Sequence, residues 1–191
     1  MSEDPYVDPA TGVLINLLGF DDAEVLSQAE ADIATARLHQ LQTRPIVGGY
    51  DVTHLQMIHR HLFGDIYPWA GDFRTVNISR SASFGDWRHV RRYLDGVFED
   101  LANERHLADL AADALAARLA FYLGEVNAAH PFREGNGRTQ RAFFGQLCRE
   151  AGWILRWSSI SPAENDAASE ASLSGDPSLL ERLLRRCLSR V

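Results

Sequence analysis

Apolar residues recur at helical spacing along most of the chain, and short polar breaks separate the runs. From Asp21 to Leu41, Val25, Ala29, Ile33, Ala34 and Ala36 form one stripe, and Asp21 or Asp22 stands where an N-cap belongs. Thr43 to Gly49, with Pro45 and Gly48-Gly49, breaks that helix. Val52 to Phe63 is predicted as a second helix, with Leu55, Ile58 and Leu62 on one face and Gly64 as its stop. The texture then changes. Tyr67 to Arg74 is irregular, while Thr75 to Ser79 alternates and is β-prone, with Ser81 to Gly85 as a turn or returning strand. This reads as one short hairpin, which must lean on helices to be stable.

Helical spacing returns from Asp86. Val90, Tyr93, Leu94, Val97, Phe98 and Leu101 predict an amphipathic helix. A long Ala-rich helix follows over Ala108 to Ala129, with Leu115, Leu119, Tyr122, Leu123 and Val126 as its stripe. Residues 130–137 form a polar, Gly-bearing loop. Asn136 or Gly137 opens the next helix, which runs to about Glu150 with Phe143, Phe144 and Leu147 buried. Trp153 to Ile160 is extended. Ser161, with Glu164 three positions on, marks a capping box and a short helix. Asp176 to about Leu188 is the last helix. The fold class is therefore mainly α, one domain over 1–191, with an acidic N-terminal helical segment 1–49 and C-terminal helices 161–191.

Composition narrows the chemistry. All nineteen basic residues are Arg, and there is no Lys. A Walker-type phosphate loop, a standard protein kinase and a Schiff-base or pyridoxal-phosphate enzyme each need a Lys, so these classes are excluded. Any phosphate must be met by Arg and backbone amides. The net charge of −7 argues against a bulk nucleic-acid surface. Residues 1–36 hold eight Asp or Glu and no Arg, which reads as a solvated acidic face or a docking surface for a basic partner. Cys148 and Cys187 sit in apolar helical patterns as small core residues. The chain shows no secretory leader and no membrane-length apolar run, and the expected location is cytoplasmic, with no membrane partner. His54, His59 and His61 lie on one helix without a zinc-type spacing and read as surface or half-buried residues, as do His89 and His106 on the surface. Trp69, Trp87, Trp153 and Trp157 read as core. Arg182, Arg185, Arg186 and Arg190 read as a solvated face that complements the helix dipole.

One twelve-residue string concentrates the chemistry: His130-Pro131-Phe132-Arg133-Glu134-Gly135-Asn136-Gly137-Arg138-Thr139-Gln140-Arg141. Gly135 and Gly137 at a helix start let the backbone approach a ligand closely, and unpaired first-turn amides favour an anion there. Arg138 and Arg141, three apart, share a helix face and can fork onto phosphate oxygens. Glu134 is a hard oxygen ligand suited to magnesium beside a polyphosphate. Histidine titrates near neutrality, so His130 can take a proton from an attacking hydroxyl. The string thus holds a base, a metal ligand, an anion hole and charge clamps.

The string matches all nine specified positions of the signature His-Pro-Phe-x-Asp/Glu-Gly-Asn-Gly-Arg-x-x-Arg and so resembles the Fic (filamentation induced by cAMP) domain family. The likeness extends to Asp8-Pro9-x-Thr11-Gly12, Leu17-Leu18-Gly19, Leu62-Phe63, Tyr67-x-Trp69-Ala70-Gly71 and Arg74-Thr75-Val76, roughly residues 8–160, with the Fic core at about 50–160. The resemblance implies a single Fic-type helical domain with a β-hairpin flap over the active-site loop. It implies transfer of AMP from ATP to a protein Tyr, Ser or Thr hydroxyl, with release of pyrophosphate. His130 would be the base and Phe132 the loop anchor. Glu134 would hold Mg2+, while Gly135, Asn136 and Gly137 would form the anion hole. Arg138 and Arg141 would hold the β- and γ-phosphates. The flap residues Thr75, Val76, Asn77, Ile78, Ser79 and Arg80 would pair with an extended target segment.

Many members of that family carry an inhibitory helix with Ser or Thr four residues before a Glu-Gly or Glu-Asn pair. The Glu-Asn pair here, Glu164-Asn165, has Ile160 at that place and Ser161 one residue too close. The chain therefore resembles the bacterial toxin subclass whose inhibitor is a separate small antitoxin, although a degenerate inhibitory helix near Ser161–Asn165 stays open as an alternative. For such toxins the resemblance suggests DNA gyrase or topoisomerase IV ATPase subunits as targets. The alternatives are a Fic-fold phosphotransferase, another nucleotidyl transfer, or a catalytically idle Fic-like interaction domain. The intact signature argues against the phosphotransferase and the idle domain, while it reads only phosphates and leaves the nucleotide base open.

Overall fold

The structure is a computed structural model that describes residues 4–79 and 84–191. Seven α-helices follow one another among these residues: α1 (Ala23–Thr43), α2 (Val52–Phe63), α3 (Trp87–Asn103), α4 (Ala112–Ala129), α5 (Asn136–Glu150), α6 (Pro162–Leu173) and α7 (Ser178–Cys187). Side-chain caps explain several of the starts. Asp22 accepts from Glu24 N–H and Val25 N–H at α1, Asp51 from His54 N–H at α2, and Asp86 from Arg88 N–H at α3. Ser161 and Glu164 close a reciprocal capping box at α6.

Helix α4 is the hub. Leu115, Leu119, Tyr122, Leu123 and Val126 are buried along it, and it packs against α3, α5, α6 and α7. Helix α2 lies across α1 and α5. One continuous apolar core joins these helices and takes in Tyr6 near the start and Leu188 near the end. Its deepest aromatics, Phe63, Phe132, Phe143 and Phe144, gather where α2, α5 and the loop before α5 meet.

Four sequence expectations shift. The long helix begins at Ala112, not Ala108, because Arg105 to Leu107 and Asp109 adopt positive φ and Leu107 is buried as an anchor before the helix can start. The buried face of α1 is Leu26, Glu30 and Ala34, so Val25 is exposed and a carboxylate stands in the buried row. The sheet among the described residues lies where none is expected. It pairs β1 (Trp153–Leu155) with β2 (Leu188–Arg190) antiparallel, with Ile154 opposite Ser189. Thr75–Ile78 is irregular, Ser79 makes a single bridge, and 80–83, including Arg80, lie outside the described residues. Last, His54 and His59 are fully buried and His106 is half-buried, because each is packed among aromatic rings.

Candidate active site

Helix α4 ends at His130, whose φ of 44° and ψ of 62° place it in the left-handed region. That conformation turns the chain sharply, so α4 and α5 enclose the short loop 131–135. Phe132 anchors the loop, fully buried and stacked on the His59 ring at 3.8 Å between centroids. The Asn136 side chain then braces it from both sides. Its Oδ1 accepts from Phe132 N–H at 2.9 Å, and its Nδ2 donates to Phe132 O at 2.7 Å. His59 adds a third brace. Its Nδ1 accepts from Gly71 N–H at 2.8 Å, so the proton sits on Nε2, which donates to Glu134 O at 3.0 Å. Burial pushes the His59 pKa down to about 3 and keeps the ring neutral, as this pair of bonds requires.

Gly135 opens α5 with φ of 79°. A Cβ there would lie 2.4 Å from the Phe63 ring, so both the backbone angle and the space demand glycine. Gly135→Ala is expected to cost about 2–4 kcal/mol from strain and overpacking. Thermal denaturation would register this as a fall in Tm, accompanied by weaker nucleotide binding.

The loop leaves the first turn of α5 open. Gly135 N–H is taken by Glu134 Oε1 at 2.8 Å, but the backbone N–H groups of Asn136, Gly137 and Arg138 have no acceptor among the described residues. The open amides are therefore those of Asn136, Gly137 and Arg138, one residue further along than the expected Gly135, Asn136 and Gly137. Gly135 contributes conformation, and the Asn136 side chain is committed to the loop. These amides face a cleft of about 470 Å³ whose walls include His130, Glu134, Arg138 and Arg141. Ile78, Ser79 and Phe84 also line it, and α6 contributes Asn165, Asp166, Ser169 and Glu170. Of the described flap residues, Ile78 and Ser79 reach this cleft. Thr75, Val76 and Asn77 form its root, where Thr75 N–H donates to the Tyr6 hydroxyl and Asn77 Oδ1 accepts from Trp87 N–H.

The two arginines are held differently. Arg141 curls back over the first turn, so that a Cβ on Gly137 would lie 3.3 Å from its Nη1. Among the described residues no carboxylate forms an ion pair with it, and burial followed by the charge of Arg138 lowers its pKa. Arg138 instead pairs with Glu30 and lies 4.9 Å from the centre of the Phe63 ring. Its Nη2 is also 3.9 Å from Glu134 Oε1. Glu164 is committed elsewhere. It accepts from Arg186 and from Ser161, and these bonds hold its pKa down to about 2.

One residue that carries much of this geometry, Arg74, has no role in the sequence expectations. It is 1% exposed, with no carboxylate partner among the described residues. Its Nε donates to His130 O at 2.8 Å, its Nη1 to Val76 O at 2.6 Å, and its Nη2 to Ala129 O at 3.2 Å and to Gly85 O. The backbone N–H of Arg74 donates to Pro131 O. The Phe84 ring stacks on the His130 imidazole at 3.7 Å. Thus the guanidinium ties the end of α4 to both ends of the flap segment, and the backbone N–H of the same residue holds the motif loop.

Among known proteins, the profile of the Fic/DOC family matches residues 49–148. Protein adenylyltransferase VbhT of Bartonella schoenbuchensis is 43% identical over 98% of this chain, which spans 40% of that protein's length. The probable protein adenylyltransferase Fic of Salmonella typhimurium is 35% identical over 97% of this chain and 92% of its own. The N-terminal Fic domain of a VirB-translocated Bep effector of Bartonella quintana, solved with bound ADP, superposes with a TM-score of 0.90 at 26% identity, covering 97% of this chain and 94% of that one. The string that forms the cleft lies inside the matched region, and the likeness extends over nearly the whole length of the Salmonella protein. This chain therefore belongs to the Fic/DOC family.

Proposed function

We propose that this chain is a protein adenylyltransferase that moves AMP from ATP to a Tyr, Ser or Thr hydroxyl of a protein target. The observation that carries the reading is the convergence, in one cleft, of His130, three unpartnered amides and two arginines. The amides of Asn136, Gly137 and Arg138 hold phosphate oxygens at the positive end of α5. Arg141 and Arg138 bind the β- and γ-phosphates. The more apolar end, at Ile78, Phe84 and Leu173, receives the nucleoside.

In the transfer, the target oxygen bonds to Pα while the Pα–O–Pβ bond breaks and pyrophosphate leaves. His130 takes the proton from the attacking hydroxyl. Among the described residues no cluster of three His, Cys, Asp or Glu could hold a metal by itself. A carboxylate beside the open amides suits Mg2+ shared with phosphates, and Glu134, next to Gly135, would hold it. The ion, when bound, neutralises charge developing on the leaving pyrophosphate. The flap segment, Thr75 to Arg80, docks the target's extended backbone. The Fic core, about 50–160, is served by the segments on either side as one domain.

We also propose a toxin role in the cytoplasm, with a small antitoxin supplying an inhibitory carboxylate. Two features support it: Glu164 is bound to Arg186, and Arg141 lines the cleft with no ion pair among the described residues. No described helix is long and apolar enough to cross a membrane. DNA gyrase or topoisomerase IV ATPase subunits are the proposed targets.

Bacterial lysate incubated with the protein, Mg2+ and ATP labelled at the α- or γ-phosphate tests the reading. Label is expected on a protein band from α-labelled ATP alone. Label from γ-labelled ATP alone would make the chain a phosphotransferase.

A further inference from the structure

The acidic run at the start of the chain is not uniformly a solvated face. Glu30, in the middle of α1, points inward and is 7% exposed. Both carboxylate oxygens are used: Oε2 accepts from the Tyr67 hydroxyl and Oε1 from Arg138 Nη2. Tyr67 is itself buried and stacked on Trp69 at 4.4 Å, and its hydroxyl pKa is raised by burial and by the Glu30 charge. Glu30 is therefore a fixed point and not a mobile surface acid. A buried carboxylate is costly unless paired and hydrogen-bonded, and here both conditions are met.

The consequence falls on Arg138. A free Arg side chain loses rotamer freedom when it is immobilised on a ligand. Here the Phe63 ring supports the guanidinium and Glu30 holds one terminal nitrogen. The remaining N–H groups are left for the cleft, which Arg138 lines. Arg141 has no such ion pair among the described residues. We propose that Glu30 is a positioning residue that pre-orients Arg138 for phosphate, so that α1 is part of the nucleotide site although it contributes no wall to the cleft. The inference rests on reading the cleft as an ATP site.

Fluorescent ATP analogue with Mg2+ would be titrated into the full chain and into Glu30→Gln, Arg138→Ala and the double variant. Glu30→Gln keeps the shape but removes the charge, and about 10-fold weaker binding is expected, the scale of a charge-assisted hydrogen bond. Arg138→Ala is expected to weaken binding by about 10- to 100-fold. The double variant should bind no more weakly than Arg138→Ala alone, because Glu30 acts through Arg138. Multiplying losses in the double variant, or wild-type affinity in Glu30→Gln, would overturn the inference. Should Glu30→Gln fail to fold, Glu30→Asp carries the same test, since it keeps the charge but draws it back from Arg138 by one methylene. Failure of the wild type to bind the nucleotide would instead overturn the ATP-site reading and the inference with it, so the two failures are distinguishable.

Discussion

Replacing His130 with Asn is expected to lower AMP transfer by about 10²- to 10⁴-fold, the usual contribution of a positioned general base. Asn is a better test than Ala here. His130 occupies the left-handed region as the C-cap of α4, which Asn adopts readily and Ala does not. His130→Asn thus removes the basic nitrogen while keeping the turn that sets the loop. Its melting temperature should stay within a few degrees of wild type, and nucleotide affinity should be little changed, because Asn136 and Phe132 hold the phosphate end independently. The loss should appear in kcat with KM for ATP nearly constant, the signature of an interaction made in the transition state. Transfer at the wild-type rate by a folded His130→Asn protein would remove His130 from the chemistry.

The parts of the molecule that the sequence discloses are those fixed by near neighbours. Helix α2 begins and ends where Asp51 and Gly64 say it should, and the capping box at Ser161 forms as spelled. The motif loop is legible for the same reason, since its histidine, glycines and arginines lie within one short run. Long-range packing decides the rest. At the root of the expected hairpin, Val76 gives its carbonyl to Arg74 and Asn77 gives its side chain to the start of α3, contacts that no local pattern announces. Strand β1 is three residues long, and its partner lies beyond two helices, so no local pattern announces the pair. Glu30 and Arg138 are 108 positions apart, and His59 and Glu134 are 75 apart. A charged residue in the buried row of α1 is the one sequence signal that could have marked Glu30, and the apolar stripe read from that helix passed to either side of it.

Arg74 is expected to show the largest stability effect of any single side chain near the site. Arg74→Met keeps length and apolar contact but removes every donor. Four carbonyls, on Val76, Gly85, Ala129 and His130, then lose their partner, and that of buried Ala129 has little access to water. Breaking a buried charged network on this scale costs about 3–5 kcal/mol. For a chain of this size Tm should fall by on the order of 10 °C. The functional loss should be lopsided. The carbonyls released belong to the flap root and to the end of α4, so the geometry between the target hydroxyl and His130 loosens. The amides of Asn136 to Arg138 keep their own braces. Below the melting temperature, kcat should therefore fall much further than ATP affinity, since small misplacements of a base cost rate steeply. Arg74→Lys keeps the charge but cannot fork to both ends of the flap, and should recover part of the stability and less of the rate. If Arg74→Met lost nucleotide affinity and rate in equal measure, the guanidinium would be supporting the whole cleft and not the flap and base together.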